Sequence, residues 1–150
     1  MTQSIQRTID IKASVSRVWK ALTDSREFGQ WFRAKIDQPF RVGETSTGFM
    51  AYPGYEHLKW EAKVLKMEPE KLFSFLWPPY TENASVDLSQ EPWQLVEFRL
   101  EEIPSGTRLT VTESGFEKIS PAIRDDARRG NEQGWDIQMN NVLDYVTQNP

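Results

Sequence analysis

The chain contains no cysteine, which excludes a disulfide framework, a thiolate metal site and a cysteine nucleophile. It has one histidine, His57, so a Ser-His-Asp arrangement would have to be built around that residue, and no Gly-x-Ser-x-Gly elbow presents a nucleophile to it. A metal site would need His57 together with carboxylates; Glu56 is adjacent, but neighbours on a strand face opposite ways. We therefore expect no metal and no cofactor. The glycines at Gly43, Gly48, Gly54, Gly106 and Gly115 stand singly, so no glycine-rich loop cradles a phosphate. No apolar run approaches the roughly 18 residues of a membrane span, and Met1 to Ile11 lacks the basic start and apolar stretch of a signal peptide. Residence in the cytoplasm, without membrane insertion, is the expectation. Basic residues are also in deficit, 18 against 22 acidic for a net charge of −4, and no basic stripe is available to neutralise phosphates, so nucleic acid is not an expected partner.

What is present fits one globular domain over residues 1–150. Hydrophobic residues at 38% and charged residues at 27% are too apolar a mixture for disorder and too polar for a membrane protein. Six Trp and eight Phe exceed what a core of this size needs, as in a protein that holds a ligand among aromatic rings.

Ile5, Arg7, Ile9 and Ile11 share a period-two phase and predict a first strand. Ser14 offers a cap to a helix in which Val15, Val18, Trp19 and Leu22 form one apolar stripe, ending near Asp24. Ser25 is expected to cap a second short helix bearing Phe28, Trp31 and Phe32 on one side. After Pro39 the period changes, and alternating segments follow at Phe40 to Met50, His57 to Met67, Lys71 to Trp77, Gln94 to Ile103 and Thr107 to Glu113. Turn signals at Pro53-Gly54, Glu68-Pro69-Glu70 and Pro104-Ser105-Gly106 are short enough for antiparallel neighbours. One connection is long, Pro78 to Pro92, and is a candidate lid with Tyr80 and Trp93 as its apolar contacts. Ser120-Pro121 opens a long last helix whose apolar face is Trp135, Met139, Val142, Leu143 and Val146. Gly130 and Gly134, one turn apart, suggest close approach of that helix to the sheet or to a ligand, with a kink as the alternative.

The order strand, two short helices, five strands and long helix resembles the START-related or SRPBCC superfamily, which the birch pollen allergen shares. The resemblance implies an α+β helix-grip fold: a curved antiparallel sheet around a long C-terminal helix, with two short helices after the first strand. Within it the chain is similar to the activator of heat-shock-protein-90 ATPase homologue-like group, through Val18-Trp19-Lys20-Ala21-Leu22-Thr23-Asp24 with Trp31-Phe32, the Gly106-Thr107-Arg108-Leu109-Thr110-Val111 strand, the Glu113-Ser114-Gly115-Phe116 exit and Gly134-Trp135. Related chains continue the strand after the Trp77 position with histidine, where Pro78 stands here, so His57 loses a partner. The separate N-terminal domain of eukaryotic co-chaperone activators is not expected here, so the resemblance does not carry ATPase stimulation with it.

The superfamily places carriers, cyclases, receptors and co-chaperone domains on one scaffold. The leading expectation is binding of a small apolar molecule, aromatic or lipid-like, between sheet and last helix, lined by Trp60, Phe75, Trp77, Trp93, Phe98, Glu113, Trp135 and Met139. Glu113 is in phase with Leu109 and Val111 and points inward, where a carboxylate either pairs with a cation such as Arg99 or takes a raised pKa. The second reading is therefore a cyclase or hydrolase using Glu113 as general acid or base. The third is a chaperone-interacting module connected with stress response. Monomer and homodimer stay open.

Overall fold

A computed structural model describes residues 4–80 and 87–150. Strand β1 (Ile5–Ile11) buries Ile5 and Ile11 on the face that Arg7 and Ile9 share. Ser14 caps α1 (Val15–Thr23), its Oγ accepting from the Arg17 amide at 3.2 Å. The second helix, α2 (Ser25–Phe32), is capped one residue earlier than expected. Asp24, not Ser25, accepts the amides of Arg26 and Glu27, at 2.9 and 3.2 Å. A carboxylate suits that place better than a hydroxyl, because it also meets the positive end of the helix dipole.

The chain then turns through Arg33, at φ 65°, into β2 (Ala34–Ile36). Sequence reading misses this strand because three residues are too few to show a period; its pairing of Lys35 with Phe49 and Ile36 with Gly48 defines it. The expected segment from Phe40 is also shorter, since β3 covers Thr45–Met50 and is preceded by a turn at Gly43 with φ 86°. Three more strands follow: β4 (Lys59–Glu68), β5 (Leu72–Trp77) and β6 (Gln94–Ile103). The expectation started β4 at His57, which instead lies exposed in the preceding turn. The last strand is β7 (Gly106–Ser114), and after a 3-10 turn at Phe116–Lys118 comes α3 (Pro121–Gln148).

The strands form one antiparallel sheet in the order β1-β7-β6-β5-β4-β3-β2, so the first strand pairs with the last, and β1 and β2 are the two edges. Two local features shape it. Leu65 is an extra residue between the Val64–Phe75 and Lys66–Ser74 pairs, a bulge that increases strand twist. Gly106, at φ 146°, follows the Pro104-Ser105 turn, and a Cβ there would lie 2.2 Å from the Ile11 carbonyl oxygen.

Helix α3 lies against β1 and the two short helices and buries Trp135, Met139, Val142 and Val146 in the common core, with Leu143 half-buried beside them. Arg7 of β1 fastens its polar side through Asp136 at 2.7 Å and Glu132 at 3.5 Å. The expected close approach of Gly130 and Gly134 to the sheet is not found: a Cβ at either would meet nothing within 4 Å, and the helix runs unbroken through both. These glycines leave open space rather than making room for a neighbour. Ser120 occupies the capping position, yet its side chain makes no capping bond; its amide and hydroxyl both donate to Glu91, at 2.8 and 2.6 Å. The long connection is thus tied to the start of α3. The middle of the expected lid, 81–86, lies outside the described residues; of its expected apolar contacts, Tyr80 is 41% exposed and Trp93 half-buried.

Candidate functional site

Period-two alternation carries Phe73, Phe75 and Trp77 of β5 and Gln94, Val96 and Phe98 of β6 to the inner face, with Leu109, Val111 and Glu113 of β7 beside them. Helix α3 sets Trp135 over these strands, its ring centroid 5.7 Å from Phe98 and 5.4 Å from Trp77, the latter pair nearly parallel at 25°. Trp60 of β4 meets Phe75 at 5.8 Å and Trp77 at 6.1 Å. Trp60, Phe75, Phe98, Trp135 and Met139 are all buried, and Trp77 is half-buried.

The structure therefore brings together seven of the eight residues that the sequence singles out and leaves Trp93 apart. Trp93 precedes β6 by one residue and falls out of phase with the buried Gln94, Val96 and Phe98; among the described residues it stacks on none of the other rings. The error comes from reading a loop residue as if it shared the phase of the next strand.

Glu113 has no solvent exposure, and its partners are all N–H donors. Trp77 Nε1 donates to Oε2 at 2.7 Å, Trp135 Nε1 to Oε1 at 2.8 Å, and Asn131 Nδ2 to both oxygens at 2.9–3.0 Å. The expected alternative partner, Arg99, is elsewhere: its side chain is 60% exposed and pairs with Glu97 at 3.1 Å. In the β6–β7 register Arg99 sits opposite Thr110 and Val96 opposite Glu113, so the guanidinium starts three residues away and out of phase with the inner face.

Burial pushes the Glu113 carboxyl above the usual carboxylate range, and the hydrogen bonds from Trp77, Trp135 and Asn131 work against that rise. Chemically the arrangement fixes two indole rings, one on the sheet and one on the helix, through a single acceptor. Protonation would demand an acceptor in turn. An indole N–H cannot supply one; the Asn131 amide, turned over, can.

Sequence reading missed two polar residues here. Asn131 stands four before Trp135, one helical turn away on the same face, a spacing that could have paired it with Glu113. Gln94 is in phase with Val96 and Phe98, so period two alone would have put its amide inside. It is fully buried, and among the described residues neither its Nε2 nor its Oε1 has a hydrogen-bond partner. The buried indoles nearby differ: Trp31 Nε1 donates to the Ala21 carbonyl at 2.8 Å and Trp60 Nε1 to Ser46 Oγ at 3.1 Å.

Two open clefts lie away from this cluster. One of about 300 Å³ runs between α2 and β2, beside Gly29 and Ile36, and another of about 460 Å³ lies between the β1–α1 connection and the end of α3. Among the described residues, no group of three or more His, Cys, Asp and Glu side chains could hold a metal ion, and no helix is long and apolar enough to cross a membrane.

The family model described as activator of Hsp90 ATPase homolog 1-like protein matches residues 12–147. No curated protein sequence matches the chain. Among solved structures, a protein from Mesorhizobium loti is similar at 24% identity and TM-score 0.77, with 98% of each chain covered. A protein from Arthrobacter aurescens reaches TM-score 0.80 at 17% identity, over 98% of this chain and 87% of its own. DynU16, described as a putative protein in the dynemicin biosynthetic locus, gives TM-score 0.74 at 20% identity over 98% of this chain and 48% of its own. At these identities the likeness is one of fold.

Proposed function

The chain belongs to the family of activator of Hsp90 ATPase homolog 1-like proteins, and from that premise we propose that it binds a small apolar molecule, aromatic or lipid-like, between the sheet and α3. The observation that carries this reading is the Trp77–Trp135 pair, stacked at 5.4 Å with both indole N–H groups held by one buried carboxylate. Trp77 keeps part of its surface exposed at the end of β5. Rings held rigidly lose little further freedom when a flat molecule stacks on them, so more of the contact energy appears as affinity.

Glu113 is, on this reading, a positioning residue. Both its oxygens are engaged by N–H donors, so transferring a proton to or from a substrate would first require breaking that network. A cyclase or hydrolase that uses it predicts that Glu113→Gln abolishes turnover; a binder predicts that binding persists wherever the variant folds.

Binding is tested by tryptophan fluorescence. Addition of apolar aromatic probes such as naphthalene derivatives is expected to quench or shift the emission, and Trp77→Ala to weaken affinity about tenfold, the loss of roughly one to two kcal/mol of stacking. An unchanged spectrum across a broad apolar panel overturns the proposal. The chaperone reading is settled separately: an ATPase rate unaltered by added chain removes it.

A further inference from the structure

The inner face of the sheet carries two fully buried polar side chains close together, Glu113 and Gln94, and they are treated oppositely. Glu113 has every oxygen engaged. Gln94 has no exposure, and among the described residues both polar atoms of its carboxamide lack a partner. It stands on the last rung of the β5–β6 ladder, directly opposite Trp77, and diagonal to Glu113, whose own rung pairs with Val96.

A buried amide without hydrogen bonds is costly, and the phase it occupies accepts apolar residues, as Val96 and Phe98 show on the same strand. A folding role does not account for it, because Leu or Met there would remove the cost. It lies beside Trp77, among the described residues the inner-face ring of the sheet that is partly exposed.

A carboxamide offers an N–H donor and a C=O acceptor side by side, and the group that satisfies both at once presents the complementary pair. We infer that the Gln94 carboxamide is the recognition group for a small planar ligand carrying an adjacent hydrogen-bond donor and acceptor, as a lactam or a primary carboxamide does. This rests on the binding reading above and narrows its ligand class: an apolar ring system stacked at Trp77, with one cis-amide-like edge turned to Gln94. A purely hydrocarbon ligand would leave the amide unpaired. A site built to hydrogen-bond its ligand discriminates strongly against the analogue that lacks the group.

The test uses the intact chain and three probes of nearly equal shape: 2-quinolinone, N-methyl-2-quinolinone and quinoline, each titrated by calorimetry. The expected result is 2-quinolinone binding at least about tenfold tighter than the other two, the scale of one satisfied buried hydrogen bond. In Gln94→Met, which keeps the length and removes the amide, that ratio is expected to fall to about twofold or less, while quinoline binds as well as before or better. Should Gln94→Met not fold, Gln94→Leu takes its place. Equal binding of all three probes to the natural chain overturns this inference and leaves the binding reading standing; in that case a buried water is the partner of the amide. A ratio that survives in the variant overturns it as well, and assigns the selectivity to another group. Binding by none of the probes counts against both.

Discussion

Glu113→Ala is expected to lower the free energy of unfolding by about 3–5 kcal/mol, which for a chain of this size lowers Tm by about 10 °C or more. The cost has two parts. The Trp77, Trp135 and Asn131 N–H groups lose their acceptor in the interior, and a gap opens between β7 and α3. Glu113→Gln keeps the shape and one acceptor oxygen but brings in an NH2 group among two indoles that only donate, with Asn131 able to accept it only by turning its amide over, so a smaller loss of about 1–3 kcal/mol is expected.

The two variants also separate the electrostatic part. Burial raises the folded-state pKa of Glu113 above its ordinary value of 4.5, so between those two values the folded chain binds more proton than the unfolded one. Stability from this group is then complete below the ordinary value and is lost as pH rises through the raised one. Wild type should therefore gain on Glu113→Gln as the pH falls from neutral towards 4.5, and denaturant unfolding of both at several pH values measures the gap. A gap that narrows on acidification would show that the four N–H bonds outweigh the loss of solvation.

How far such a site can be read from sequence depends on the range of the interaction. The inward phase of Glu113 follows from Leu109 and Val111 two and four residues before it, and the rings of Phe75, Trp77 and Phe98 follow from strand alternation in the same way. The family-like order of elements then brings α3 across them, which places Trp135 and Met139. Partner choice is different. Arg99 and Asn131 are equally plausible mates for a carboxylate on composition, and what decides between them is the β6–β7 register together with the rotation of α3. Neither is a local property. The Asp24 cap was misread for a related reason, since Asp24 and Ser25 both have capping side chains and the backbone entering the helix selects one. Short β2 depends wholly on its neighbour β3. Gln94 was legible in phase and was missed because an amide in an apolar phase reads more readily as a strand end than as an interior group.

Phe28→Ala is expected to cost about 3–5 kcal/mol, as large as the loss at Glu113, for a purely apolar reason. Phe28 is fully buried on α2, and its ring meets Trp31 at 4.6 Å, Phe32 at 5.1 Å, Trp60 at 5.3 Å and Phe40 at 5.4 Å, with Phe75 and Phe98 at 6.4 and 6.5 Å. It is thus the central one of the three α2 rings, with Trp31 and Phe32, through which the α1–α2 hairpin holds the sheet. Removing it takes away both the transfer energy of a phenyl group and the contacts of the rings around it, which are held by backbone and by indole hydrogen bonds and cannot collapse far. Phe28→Leu, which refills most of the volume, should cost about 1.5 kcal/mol or less. The consequence reaches the candidate site, because Phe32 and Trp60 also touch Trp77, at 6.0 and 6.1 Å. Loosening them should weaken the near-ultraviolet circular dichroism of the aromatic cluster and reduce probe affinity at Trp77 without any change in a residue the probe touches. A gap lined by apolar rings stays dry and accepts benzene, so saturating benzene should restore part of the stability of Phe28→Ala and none to wild type. A loss below about 1 kcal/mol, with no benzene effect, would mean that α2 repacks on the sheet and that the hairpin is held by its polar ties to α3 instead, chiefly Tyr145 to Glu27 at 2.8 Å and Gln138 to the Phe32 carbonyl at 3.0 Å.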